Sequence, residues 1–160
     1  MKNSILNATN RTDGFLKNFG FTLLDLIAVL AVIGILAAIS FPIYKQLRPN
    51  LALNSTSRQI ASDLRYAQQL AVTEQVVYSV SFNQLQNSYS IIKTNPETTL
   101  KTVVINPQIT IQSINNLTAD TASFNATGAA GESGSLVLVN SANRTITIEI
   151  KPSGYVKLQN

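Results

Sequence analysis

One acid in an apolar run is the residue in this chain whose chemistry most needs a partner. Asp25 lies within residues 20–42, GFTLLDLIAVLAVIGILAAISFP, where the stretch from Phe21 to Phe41 is apolar except for Thr22, Asp25 and Ser40. A carboxylate in lipid costs about 2.5–3.5 kcal/mol at a helix centre and less near an end, so intramembrane acids are usually paired. No other charge occurs between Lys17 and Lys45. Removal of everything before Phe21 creates the missing cation, because the α-amine of Phe21 then lies four residues from Asp25. Both groups share one helix face at the positive end of the helix dipole.

The remaining reactive side chains form no catalytic pattern. Asp63, Glu74, Glu97, Asp120, Glu132 and Glu149 are scattered, and no Gly-rich phosphate loop follows a strand. Ser153 with Lys151 or Lys157 reads as a surface turn rather than a Ser-Lys pair. His and Cys are both absent, which removes the commonest general base, the commonest metal ligand and any disulfide framework. Neither an enzyme activity, a cofactor nor a metal site is expected. Of the net charge of +4, Lys2, Arg11 and Lys17 against Asp13 supply +2, leaving 9 basic and 7 acidic side chains after residue 20. That balance is no nucleic-acid signature.

These groups must be positioned by a small number of elements. At about 1.5 Å per residue, about twenty helical residues cover a hydrocarbon core of roughly 30 Å, so residues 21–42 read as a membrane helix. The apolar part of a secretory signal is shorter, about 7–15 residues, and ends in a small-residue cleavage site. Here the small residue, Gly20, precedes the run, and residues 1–19 lack periodicity and read as a removable leader. Lys45 and Arg48 follow the span as closely as Lys17 precedes it, so charge alone does not orient it. Ala28, Ala31, Gly34 and Ala37 or Ala38 recur at three- to four-residue spacing, which fits close helix packing in lipid and ordinary Ala usage equally well. Pro42 and Pro49 each remove a helical hydrogen bond and predict a kink or unwound segment.

From Lys45 to Gln75 the apolar residues Leu47, Leu51, Ile60 or Ala61, Leu64, Ala67 and Ala71 form an amphipathic stripe, with Arg58, Asp63, Arg65 and Glu74 on a solvated or subunit-facing side. After Gln75 the period becomes two. Strands are expected over 76–82 and 88–93, 102–105 and 109–114, about 122–125, 135–140 and 144–151, and 155–158, with a mobile Gly-rich loop after residue 125.

The motif GFTLLDLI followed by VLAVIGILAAISFP resembles the class III signal of type IV pilins and pseudopilins, in which a dedicated peptidase cuts after the Gly and methylates the new terminal Phe. The resemblance implies cleavage between Gly20 and Phe21, N-methylation of Phe21, and a filament-assembly role for Asp25, which stands where the family usually carries Glu. In the family that acid is paired with the amine of a neighbouring subunit. A proline at the position of Pro42 accompanies helix melting in the filament, which implies a flexible point there. RYAQQLAVTEQ, FNATG and RTITIEIKPSGYVKL are similar to the GspH/FimT group of minor pseudopilins in particular.

What the resemblance implies is an α+β pilin fold, with a long N-terminal helix, half transmembrane and half amphipathic, packed on a C-terminal antiparallel sheet domain. Its parts are a cleaved leader (1–20), an assembly helix (21–42), an amphipathic continuation (43–75) and a β-rich extracytoplasmic domain (76–160). The implied function is that of a structural minor subunit near the tip of a type IV pilus or type II secretion pseudopilus. Its implied place is the inner membrane, single-pass, with the C-terminal domain outside the cytoplasm. Partners would be other pilin subunits, the prepilin peptidase, the assembly platform and lipid. The alternative is a DNA-binding minor pilin. Some FimT-type proteins use Gly-Arg-x-Arg, but Gly154-Tyr155-Val156-Lys157 lacks both arginines. Lys151, Tyr155 and Lys157, with Arg144, leave only a weak phosphate-contacting patch.

Overall fold

The computed structural model describes residues 22–159, with the side chains of 41–46 left out. Gly20 and Phe21 lie outside the described residues. The chain divides into two compact units, 1–39 and 40–160, and the helix α1 (Leu23–Glu74) contributes to both. The backbone is helical through Pro42 and Pro49.

In the first unit every described residue from Thr22 to Ile39 is exposed. Leu23–Ser40 is long and apolar enough to cross a membrane, and none of it is buried by the protein. A helix that is apolar all round has no polar face to offer water, so its natural surroundings are lipid or other helices.

In the second unit α1 buries Leu53, Ile60, Ala61, Leu64, Ala67 and Ala71. Leu47 and Leu51, expected in that stripe, are instead 50% and 64% exposed. At about 100° per residue Leu51 points roughly 160° away from Leu53, which takes its place on the sheet-facing side. Asp63 is the second departure: rather than being solvated it is 8% exposed.

Eight strands follow: β1 (Tyr78–Asn83), β2 (Ser88–Thr94), β3 (Glu97–Val104), β4 (Ile109–Asn115), β5 (Thr121–Phe124), β6 (Gly134–Asn140), β7 (Thr145–Ile150) and β8 (Val156–Gln159). They form two four-stranded antiparallel sheets, ordered β3-β2-β1-β5 and β4-β6-β7-β8. Period-two alternation puts Tyr78, Val80, Phe82, Tyr89 and Ile91 of one sheet, and Leu136, Leu138, Ile146, Ile148 and Ile150 of the other, in a single core with α1.

Two expectations change here. Strand β3 begins at Glu97 rather than Thr102. It is exposed along almost its whole length, so its first half shows no buried alternation to read. The segment after Phe124 is tied down rather than loose. The Asn125 Oδ1 accepts hydrogen bonds from the Thr127 and Ala129 N–H groups and the Thr127 hydroxyl, while the Gly131 and Ala130 N–H groups donate to the Ser123 and Pro152 carbonyls.

Replacing Leu64 by Ala is expected to lower stability to denaturant by about 2–5 kcal/mol, whereas Leu51→Ala stays within about 0.5 kcal/mol. Equal losses at the two positions would contradict the sheet-facing stripe placed here.

Candidate functional site

The first candidate site is the start of α1. Thr22 is its N-cap, and Asp25 is the third residue inside. The Thr22 N–H and hydroxyl both donate to Asp25 Oδ2, at 3.0 and 2.8 Å, while the Asp25 N–H donates back to Thr22 Oγ1 at 3.2 Å. This is a capping box, with Asp in the place of the usual Glu. It gives the carboxylate hydrogen-bond donors inside the chain, where the sequence reading assigns it only an amine. The T-x-x-D spacing was the available signal.

Of the residues considered for DNA, Lys151, Tyr155 and Lys157 lie together at the β7–β8 turn, where the Lys151 N–H donates to the Tyr155 carbonyl at 3.0 Å, and Arg144 lies apart from them. Arg144 precedes β7 and Lys151 follows it, so β7 separates them by roughly 20 Å of extended chain. Lys157 pairs in register with Glu149, an acid set among the cations. Tyr155 is 58% exposed beside the tight turn in which the Gly154 N–H donates to the Lys151 carbonyl at 2.8 Å.

Segments distant in sequence converge at the second half of α1. Arg65 donates from its guanidinium to the Val156 carbonyl at 3.0 Å, Gln68 donates from Nε2 to the Gly128 carbonyl at 2.6 Å, and Gln75 Nε2 reaches the Ala126 carbonyl at 3.4 Å. Three distant segments, RYAQQLAVTEQ, FNATG and KPSGYVKL, thereby meet. Gly128 and Gly154 sit in the left-handed region at φ 82° and 79°, and a Cβ on Gly154 would fall onto the Gly128 carbonyl and the Gln68 amide. Both geometry and space therefore require glycine at 154.

A second junction joins α1 to the other side of the fold. The Asp63 carboxylate accepts from the Tyr89 hydroxyl at 2.5 Å and from Lys101 Nζ at 2.8 and 2.9 Å. Burial, and then the Asp63 hydrogen bond, push the Tyr89 hydroxyl far above its usual range. At the helix end Lys93 Nζ lies 2.6 Å from Glu74. That bond holds the Glu74 carboxyl below its usual range, while burial and then Glu74 raise Tyr78. Glu132 is likewise held low by the Thr118 N–H and hydroxyl. Asp63, Glu74 and Glu132 thus hold structural contacts.

The sequence profile of the family described as Type II transport protein GspH matches residues 56–154. The chain belongs to the GspH family of minor pseudopilins. No curated protein sequence matches it significantly. Among solved structures it is similar to the type IV minor pilin FimU of Pseudomonas aeruginosa, at 15% identity and a TM-score of 0.53, covering 68% of this chain and 88% of that one. It is also similar to the minor pseudopilin EpsH from the type 2 secretion system of Vibrio cholerae, at 7% identity and a TM-score of 0.58, covering 67% and 95%. At those identities the likeness is one of fold. The GspH-family match takes in Arg65, Gln68, Gly128 and Gly154, and with them the Gln68–Gly128 hydrogen bond, and ends two residues before Val156.

Gly154→Ala is expected to destabilise the domain by more than about 2 kcal/mol, from left-handed backbone strain plus overlap with Gly128 and Gln68. Gln68→Ala, which only removes the hydrogen bond, should cost about 1 kcal/mol. Chemical denaturation of both variants checks the order, and a reversal would contradict the junction. For Tyr89, whose folded-state pKa is raised, the contribution is intact below about pH 10 and is lost as pH rises further, at up to about 1.4 kcal/mol per pH unit. Tyr89→Phe should flatten the fall in stability between about pH 10 and 12. An unchanged slope would contradict a Tyr89 protected from ionisation.

Proposed function

We propose that this chain is made as a prepilin, cleaved by a prepilin peptidase after Gly20 and methylated on the Phe21 amine. It then joins a type IV pilus or type II secretion pseudopilus as a minor subunit near the tip. Residues 21–42 hold it in the inner membrane until assembly, 43–75 continue the helix into the domain, and 76–160 form the β-rich part outside the cytoplasm. The observation that carries this reading is the exposed apolar helix, opened by the Thr22–Asp25 cap, on a chain whose residues 56–154 match the GspH family.

The mechanism follows from the same groups. Cleavage after Gly20 places a cationic amine next to the N-cap, and the Thr22 hydrogen bonds hold the Asp25 carboxylate at the first turn. Within a filament the amine of one subunit meets Asp25 of its neighbour, so that two charges entering lipid neutralise each other. Small residues on the same helix bring neighbouring helices close, and a Cβ at Gly34 meets nothing within 4 Å among the described residues. Pro42 supplies the flexible point at which the helix adjusts during packing.

Intact-mass and N-terminal analysis of the native protein tests the processing step. The expected species begins at N-methylated Phe21; an intact Met1, or a cut elsewhere, would sink the prepilin reading. Gly34→Ile should leave membrane insertion unchanged and lower recovery in filaments by about tenfold. Equal loss of both, or of neither, would contradict a packing role for this helix face.

A further inference from the structure

Two sheets present four edges, and three are closed by the chain's own groups. Along β5, Ala130 bridges to Phe124 and the Gly131 N–H donates to the Ser123 carbonyl. Along β4, Asn87 Nδ2 and Gln84 Nε2 donate to the Ile109 and Ile111 carbonyls at 2.7 and 3.0 Å. Along β8, the Arg65 guanidinium donates to the Val156 carbonyl at 3.0 Å. Closing edges in this way is how folded proteins prevent unwanted strand pairing.

Strand β3 is the exception. The Ile105 N–H donates to the Asn87 carbonyl and Val104 pairs with Ser88, so antiparallel alternation turns the N–H and C=O groups of Thr102 and Val104 away from β2. Among the described residues nothing bonds to those outward groups. The register skips Leu100, and this bulge confines the usable edge to Lys101–Val104. A lysine on an edge strand ordinarily guards it. Lys101 does not, because Asp63 on α1 draws its ammonium to 2.8 Å. The free edge is thus neutral at its centre, with Glu97 as the remaining charge on β3. Val104 is 74% exposed beside a groove of about 260 Å³ lined by Ser55 and Gln59 of α1 and by Val103, Val104 and Ile105. An added strand would place one inward side chain there.

We propose that the Lys101–Val104 edge of β3 accepts an extended strand from another pilin-type subunit of the assembly, neutral where it pairs, basic past the bulge toward Glu97, and with one small apolar side chain in the groove against α1. Alternating outward N–H and C=O groups are matched by an extended backbone, which is why the occupant is a strand. This rests on the subunit reading above.

The test uses the full-length, affinity-tagged chain in its native membranes, with the pilin-type subunits of its own assembly as the probe. Thr102→Pro removes one outward N–H without breaking the β2 ladder, Val104→Lys restores a guard charge, and Thr102→Val removes only the hydroxyl that contacts Ser90. The expected result is about tenfold lower co-isolation for Thr102→Pro and Val104→Lys, wild-type recovery for Thr102→Val, and unchanged melting temperatures. Should Thr102→Pro melt early, Val104→Lys decides. Wild-type co-isolation by the edge variants, or equal loss in Thr102→Val, overturns the edge proposal. A wild-type chain that brings down no pilin-type subunit contradicts the subunit reading itself.

Discussion

Eleven large apolar side chains between Leu23 and Ile39 are exposed, from 48% to 76% each. Transferring them out of water is worth roughly 15–30 kcal/mol at about 1.5–3 kcal/mol each. A small domain is stable by only about 5–15 kcal/mol, so nothing in the fold of residues 40–160 offsets that exposure in water. The penalty for carrying Asp25 along, about 2.5–3.5 kcal/mol at a helix centre and less near an end, is small beside it. On the function proposed above, the aliphatic residues set membrane residence, and Asp25 acts once the helix is inserted.

The domain solves a different problem, which is to hold a helix and two sheets together with few charges. It does so with polar contacts at the two flanks of a single apolar core. Asp63 reaches Tyr89 and Lys101 on one sheet, while Arg65 and Gln68 reach Val156 and Gly128 beside the other. Consecutive turns of α1 thus face in two directions. Because Asp63 also draws Lys101 away from the rim of β3, one half-buried ion pair both braces the fold and leaves that rim without its guard charge.

Much of this was legible in the residues. Alternation such as Tyr78-x-Val80-x-Phe82 marks strands with one buried face, and β1, β2, β4, β6 and β7 have that character. The first half of β3 is exposed on both faces and leaves no such trace. A helical charge such as Asp63 reads as solvated, because its partners lie 26 and 38 residues away and only the fold brings them near. Leu47 and Leu51 are four apart, as a helical face requires, but which face is buried depends on where the sheets lie. Thr22 was readable, since the capping box is a local pattern, yet it is easily overlooked once Asp25 is assigned to an amine.

The most direct test is recovery of the full-length chain in sheared filaments and in membranes when Asp25 is replaced by Ala or by Glu. Normal membrane levels are expected for both, with about tenfold less Asp25→Ala in filaments and near wild-type incorporation of Asp25→Glu, whose longer carboxylate still reaches the amine. Asp25→Ala subunits found in filaments at normal abundance would contradict the pairing of this acid with a neighbour's amine.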